Sequence, residues 1–112
     1  MKDAKDLLKE IEETFQEYGQ INPEAMNGFK KFMSKTKEDG ALSRKMKEII
    51  GVALSVSRHC EWCVPFHVKN ALDAGATKQE IMEACLVAVM MGGGPSLMFT
   101  KKVLEALEDL SD

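Results

Sequence analysis

Cys60-Glu61-Trp62-Cys63-Val64-Pro65-Phe66-His67 places two thiols and an imidazole within eight residues. Pro65 lacks a backbone N–H and its ring collides with the preceding turn of a helix, so it is tolerated only near a helix start. A helix therefore begins at or next to the cysteine pair. In that setting Cys63 and His67 are i,i+4 neighbours, and Cys60 lies a further turn toward the N-terminus on roughly the same face.

Outward from this segment the apolar residues recur at three- and four-residue spacing, and no sustained two-residue alternation signals a strand. On the N-terminal side, Ser43 caps a helix running to about Ser57, with Ile49, Ile50, Val52, Ala53, Leu54 and Val56 covering most of its circumference. This reads as the central helix. Its apolar run, interrupted by Gly51 and Ser55, is far shorter than the roughly 20 residues a membrane span requires. On the C-terminal side, Gly75 closes the cysteine-bearing helix and Thr77-Lys78-Gln79-Glu80 has the form of a capping box. That box opens a helix through Ile81, Cys85, Leu86 and Met90, which Gly92-Gly93-Gly94-Pro95 breaks before a last helix through Leu97, Val103, Leu104 and Leu107. Near the N-terminus, Leu7, Leu8, Ile11 and Phe15 line one face of a first helix from about Ala4 to Tyr18, with Gly19 as its stop. Asn22-Pro23 opens a second carrying Met26, Phe29, Phe32 and Met33, stopped at Asp39-Gly40. The expected fold is all-α: one compact domain of about six helices spanning residues 1–112.

The remaining bulk properties exclude several functions. With 15 basic against 18 acidic residues the net charge is −3, and no basic stripe exists to neutralise nucleic-acid phosphates or an anionic membrane. The N-terminal Met1-Lys2-Asp3-Ala4-Lys5-Asp6 is charged and lacks the apolar core of a signal peptide, so a cytoplasmic location is expected. Three cysteines cannot all pair within one chain, and a close Cys pair in a reducing compartment is more often redox-active or metal-binding than structural.

A helix start favours the thiolate over the thiol through unsatisfied N–H groups and the macrodipole. A second thiol three residues away can resolve a sulfenic acid or mixed disulfide on the first, so the pair stores two electrons reversibly. His67, one turn beyond Cys63, can accept and return the thiol proton. The competing reading is a non-enzymatic zinc-binding or interaction module using Cys60, Cys63 and His67, with His59 as a fourth ligand. No second Cys or His pair at zinc-finger spacing supports it.

Glu48, then eleven residues, Cys60-x-x-Cys63, three residues and His67 resembles the redox branch of the AhpD-like, carboxymuconolactone decarboxylase superfamily. The likeness runs through Ala71-Leu72-Asp73-Ala74-Gly75-Ala76-Thr77 and Glu80-Ile81 to the glycines after Met91, covering residues 43–99. It implies an all-α fold and a peroxidase or disulfide-reductase activity that needs no metal or organic cofactor. A homo-oligomer is implied too, most simply a hexamer built as a trimer of dimers, with a hydroperoxide or disulfide as substrate and a thiol electron donor such as a dihydrolipoyl protein. In the family the second cysteine attacks and the first resolves, which assigns attack to Cys63 and resolution to Cys60. The dipole by itself favours Cys60, and the i,i+4 imidazole favours Cys63. Some peroxidase members carry a histidine before the second cysteine where this chain has Trp62, a departure that bears on the proton relay. The decarboxylase branch lacks the cysteine pair, so lactone decarboxylation is not expected.

The same spacing nominates Glu48, although a straight helix would separate it from Cys60 by about 18 Å. It can serve the site only if the cysteine-bearing helix folds back or a neighbouring subunit intervenes. The expectation is a buried Glu48 linked to His67 and, through burial, holding a proton near neutral pH. Cys85 reads as a small core residue, His59 as a solvated loop residue, and the glycine run as a helix break.

Overall fold

The computed structural model describes residues 2–111, which form six helices and, among the described residues, no strand: α1 (Ala4–Ile21), α2 (Pro23–Lys37), α3 (Arg44–Ser57), α4 (Cys63–Asp73), α5 (Lys78–Gly92) and α6 (Gly94–Leu110). The caps explain most boundaries. Ser43 Oγ accepts the Met46 N–H to start α3, and Thr77 and Glu80 exchange reciprocal bonds to start α5. Asn22 works in both directions: its own N–H donates to Tyr18 O, closing α1, while its side chain accepts the Ala25 N–H, opening α2. This is why α1 runs three residues past the expected stop at Tyr18. Gly19 stays helical, and the glycines with left-handed φ are Gly75 and Gly93.

The α3 helix is central in fact, packing against α4, α5 and α6, with α5 on α6 and α4 on α6 completing the bundle. Val52 and Val56 of α3, Val64 and Val68 of α4, Ile81 and Cys85 of α5, and Val103 of α6 are sealed from water. Each such aliphatic side chain contributes about 1.5–3 kcal/mol relative to exposure. The circumference of α3 is less fully covered than its composition implies, because Ile50 and Leu54 remain exposed on one face.

The first two helices are bound more lightly. α1 buries Ala4 and Leu7, whereas α2 buries nothing, and Phe29 and Phe32 stay exposed although they share the apolar face expected to pack. Phe15 meets Phe29 edge-on at 6.2 Å between ring centres, which ties α2 to α1. The radius of gyration of 14.3 Å exceeds the roughly 13 Å typical of a compact chain of this length. α1 packs on α4 and α6 and contributes Ala4 to the core, while α2 contributes no buried residue.

Candidate redox site

The reversal between α3 and α4 builds the site. At the end of α3, the His59 N–H donates to Val56 O and the Cys60 N–H to Ser55 O, the paired bonds of a Schellman motif. The motif needs a left-handed residue, and here it is His59, with φ of 51°, in place of the usual glycine. Its ring stacks on Phe99 of α6 at 4.9 Å. His59 is thus exposed in the turn, as expected, and in addition is the structural pivot of the reversal.

Cys60 follows the pivot and Cys63 is the first residue of α4, so the pair straddles the helix start with Cα atoms 5.2 Å apart and the sulfurs joined in a disulfide. Cys60 therefore lies in the turn before the helix, not on its surface. Trp62 contributes no side-chain cap; instead the Cys63 N–H points at Cys60 Sγ at 3.2 Å. That amide and the helix start favour negative charge on Cys60 when the bond opens. Pro65 occupies the first turn, where its missing N–H costs little.

The tight reversal lays α4 back across α3, which removes the 18 Å problem. Glu48 is 2 % exposed, and its Oε1 lies 2.9 Å from His67 Nδ1. Its Oε2 has no hydrogen-bond partner and faces Lys37 Nζ at 3.7 Å, while that ammonium also sits 4.6 Å above the Phe66 ring. The expected protonated carboxyl is not what this arrangement produces. Burial is the largest influence and pushes the Glu48 pKa up, but the His67 hydrogen bond and the charges of Lys37, His67 and Arg44 together outweigh it and hold the group below the ordinary carboxylate value. An ionised carboxylate only accepts, so His67 Nδ1–H is the donor and Nε2 is the nitrogen left to exchange protons.

Two contributors to this geometry were not nominated from the sequence. A Cβ on Gly51 would lie 2.5 Å from His67 Nδ1, so the ring can cross α3 only because residue 51 has no side chain. A signal existed: a glycine inside a buried helix costs about 1 kcal/mol relative to alanine, and this one lies three residues after Glu48 on the same face. Lys37 gave none, since a lysine in the last turn of a helix already suits the helix dipole.

Cys60, Cys63 and His67 open into a cleft of about 800 Å³ walled by Ile50, Gly51 and Leu54. Trp62, at the departure from the family pattern, does not line it: the indole Nε1–H donates to Glu10 Oε1 of α1 at 2.8 Å, and Glu10 in turn pairs with Lys2. Cys85 is buried in the core, where desolvation pushes its thiol up to about 11. Among the described residues no three His, Cys, Asp or Glu side chains converge as a metal cage. No described helix is long and apolar enough to cross a membrane.

Comparison with known proteins agrees with this architecture. The model of the carboxymuconolactone decarboxylase family matches residues 23–106. An uncharacterized protein of Cupriavidus necator is 38 % identical over 109 residues, covering 97 % of this chain and 96 % of the relative. The crystal structure of an apo carboxymuconolactone decarboxylase family protein from Legionella pneumophila superposes with a TM-score of 0.92 at 38 % identity, covering 97 % of both chains. A second family structure, from Thermotoga maritima, for which involvement in an antioxidative response has been suggested, gives 0.71 at 26 % identity over 87 % of this chain and 89 % of its own. With the Glu48, Cys60, Cys63 and His67 spacing realised as one connected site, the chain belongs to the carboxymuconolactone decarboxylase family, in its AhpD-like form.

Proposed function

We propose that the protein is a thiol-dependent oxidoreductase that reduces a hydroperoxide through a Cys63–Cys60 cycle. The observation that carries this reading is a disulfide at a helix start, open to a cleft and one turn from a histidine oriented by a buried carboxylate. In the reduced form, His67 Nε2 takes the Cys63 proton and the thiolate attacks the peroxide. The O–O bond breaks, Cys63 becomes a sulfenic acid, and the alkoxide leaves as alcohol with the proton. Cys60, its thiolate favoured by the Cys63 N–H, then displaces water from Cys63 Sγ and re-forms the disulfide. The pair has given two electrons, and an external dithiol, of which a dihydrolipoyl group is one, returns them by exchange. A cycle that depends on such re-reduction suits the reducing cytoplasm. Glu48 accepts the His67 Nδ1–H and so fixes the orientation of the ring, leaving Nε2 toward the reacting atoms that Glu48 itself does not touch.

The working form is a homo-oligomer, in the hexameric arrangement that the family resemblance implies. Leu86, Met90 and Met91 at the end of α5 and Met98 at the start of α6 are more than half exposed and form an elbow suited to a second copy. Light scattering at micromolar concentration reads this directly, and a monomer there contradicts it.

The decisive test of the redox reading mixes reduced protein with one equivalent of hydroperoxide. A mass loss of two hydrogens confined to the Cys60–Cys63 peptide is expected. Unchanged thiols after prolonged exposure would sink the proposal.

A further inference from the structure

The cleft over the disulfide is far larger than hydrogen peroxide needs. A water molecule takes about 30 Å³ of liquid, whereas about 800 Å³ falls in the 300–1,000 Å³ range of organic-ligand pockets. The exposed face of α3 supplies its character: Lys47, Ile50, Leu54 and Arg58 follow one another at three- and four-residue spacing, with a cation at each end of an apolar stretch. Lys35 of α2 adds a third cation, and no Asp or Glu appears among the described residues lining the cleft.

The three cations are differently engaged. Lys35 pairs with Glu38 at 3.3 Å, and Lys47 Nζ donates to the carbonyls of Thr36 and Glu38, closing the end of α2. Arg58, exposed and two residues before Cys60, has no carboxylate partner among the described residues. Its planar guanidinium suits a carboxylate, which it can grip with two parallel bonds.

We propose that the substrate of this cleft is an apolar organic hydroperoxide bearing a carboxylate, its hydrocarbon against Ile50 and Leu54 and its carboxylate on Arg58. This rests on the redox reading above and adds the substrate class. The chemistry is the balanced step already described: ROOH and the Cys60/Cys63 dithiol yield ROH, water and the disulfide, with R carrying the anion.

The test compares cumene hydroperoxide bearing a para-carboxylate with its methyl ester, following disulfide formation in the reduced full-length protein. The acid is expected to react about tenfold faster at low salt, the gain available from one charge-assisted contact at a partly exposed site. The preference should shrink as ionic strength rises. In Arg58→Met the acid-to-ester ratio should fall to about one, and Arg58→Lys should restore part of it. A ratio near one in the unaltered protein, or a ratio that survives Arg58→Met, overturns the assignment. If neither hydroperoxide oxidises the pair, the redox reading fails by itself and a second measurement decides the cleft. Calorimetry of para-isopropylbenzoate on the oxidised protein should then show binding that Arg58→Met abolishes, and no binding to the unaltered protein would overturn the anion site.

Discussion

Cys60 and Cys63 lie where the chain reverses between α3 and α4, half-buried, with a backbone N–H aimed at one sulfur and an imidazole one turn from the other. Cys85 lies midway along α5, 1 % exposed and surrounded by the core. The side chains are chemically identical, yet one setting offers a thiolate a hydrogen-bond donor and the other disfavours it through burial. The physical contrast lies in the interrupted helix, since a continuous helix offers no free N–H and a packed core no solvation, and the proposed reactivity rests on that contrast.

The largest expected effect separates the two cysteines of the pair. Cys63→Ser should abolish peroxide consumption, whereas Cys60→Ser should allow one turnover and leave Cys63 as a sulfenic or over-oxidised species detectable by mass. Should a sulfenic-acid trap label Cys60 in the complementary single variant, the two roles are exchanged.

Next in size is the contrast with Cys85. A thiol pushed up to about 11 is a thiolate in only about one molecule per thousand at pH 8. In the reduced native protein its alkylation by iodoacetamide should lag the pair by several hundredfold and quicken about tenfold per pH unit until that pKa is reached. Peptide mapping over a time course reads both, and comparable labelling of all three cysteines would remove the contrast.

A smaller change breaks the reactive setting without touching a thiol. Gly51→Ala drives a methyl group into the His67 ring, and displacement of a catalytic group by about 1 Å costs on the order of 10²-fold in rate. Single-turnover oxidation should show that loss while circular dichroism retains the helical signal. An unimpaired rate would mean that the ring position is irrelevant to the chemistry.

The mildest test concerns the charge behind the ring. Glu48→Gln should slow peroxide attack about tenfold, less than the roughly 10²-fold that loss of the proton acceptor itself costs, and should raise the apparent pKa of Cys63. Because the Glu48 pKa is depressed in the folded protein, its stabilisation is fully present above the ordinary value of 4.5. It is lost as pH falls from there through the lower folded value. Acidification over that window should therefore lower the Tm of the unaltered protein more than that of Glu48→Gln, and parallel curves would refute an ionised, stabilising Glu48.

Local signals made much of this molecule legible in one dimension. Helix type, number and most boundaries follow from caps whose donors and acceptors lie within four residues of each other: Ser43 to Met46, Asn22 to Ala25, Thr77 to Glu80. The cysteine spacing and Pro65 likewise announce a thiol pair at a helix start. The α1 boundary slipped because Gly19 can occupy either helix or stop, and the choice was made by the Asn22 cap beyond it. Exposure of Phe29 and Phe32 was invisible because periodicity marks an apolar face without saying whether anything covers it.

The sequence by itself determined six helices and the presence of a thiol pair with a histidine one turn away, because those depend on backbone bonding and spacing along a single helix. Only the tertiary structure decided that Glu48 meets His67, that Gly51 makes room for the ring, and that Lys37 joins in keeping the carboxylate ionised. Those contacts span separations of 19, 16 and 11 residues, from Glu48 to His67, Gly51 to His67 and Lys37 to Glu48. The two contacts of His67 exist because a left-handed His59 turns α4 back onto α3, and the third because the connection between α2 and α3 brings Lys37, the last residue of α2, beside α3. A protonation state is a sum over all the charges and buried surface around a group. Burial considered alone pointed the wrong way for Glu48, and the sign reversed once folding brought cationic neighbours and a hydrogen-bond donor to the same carboxylate.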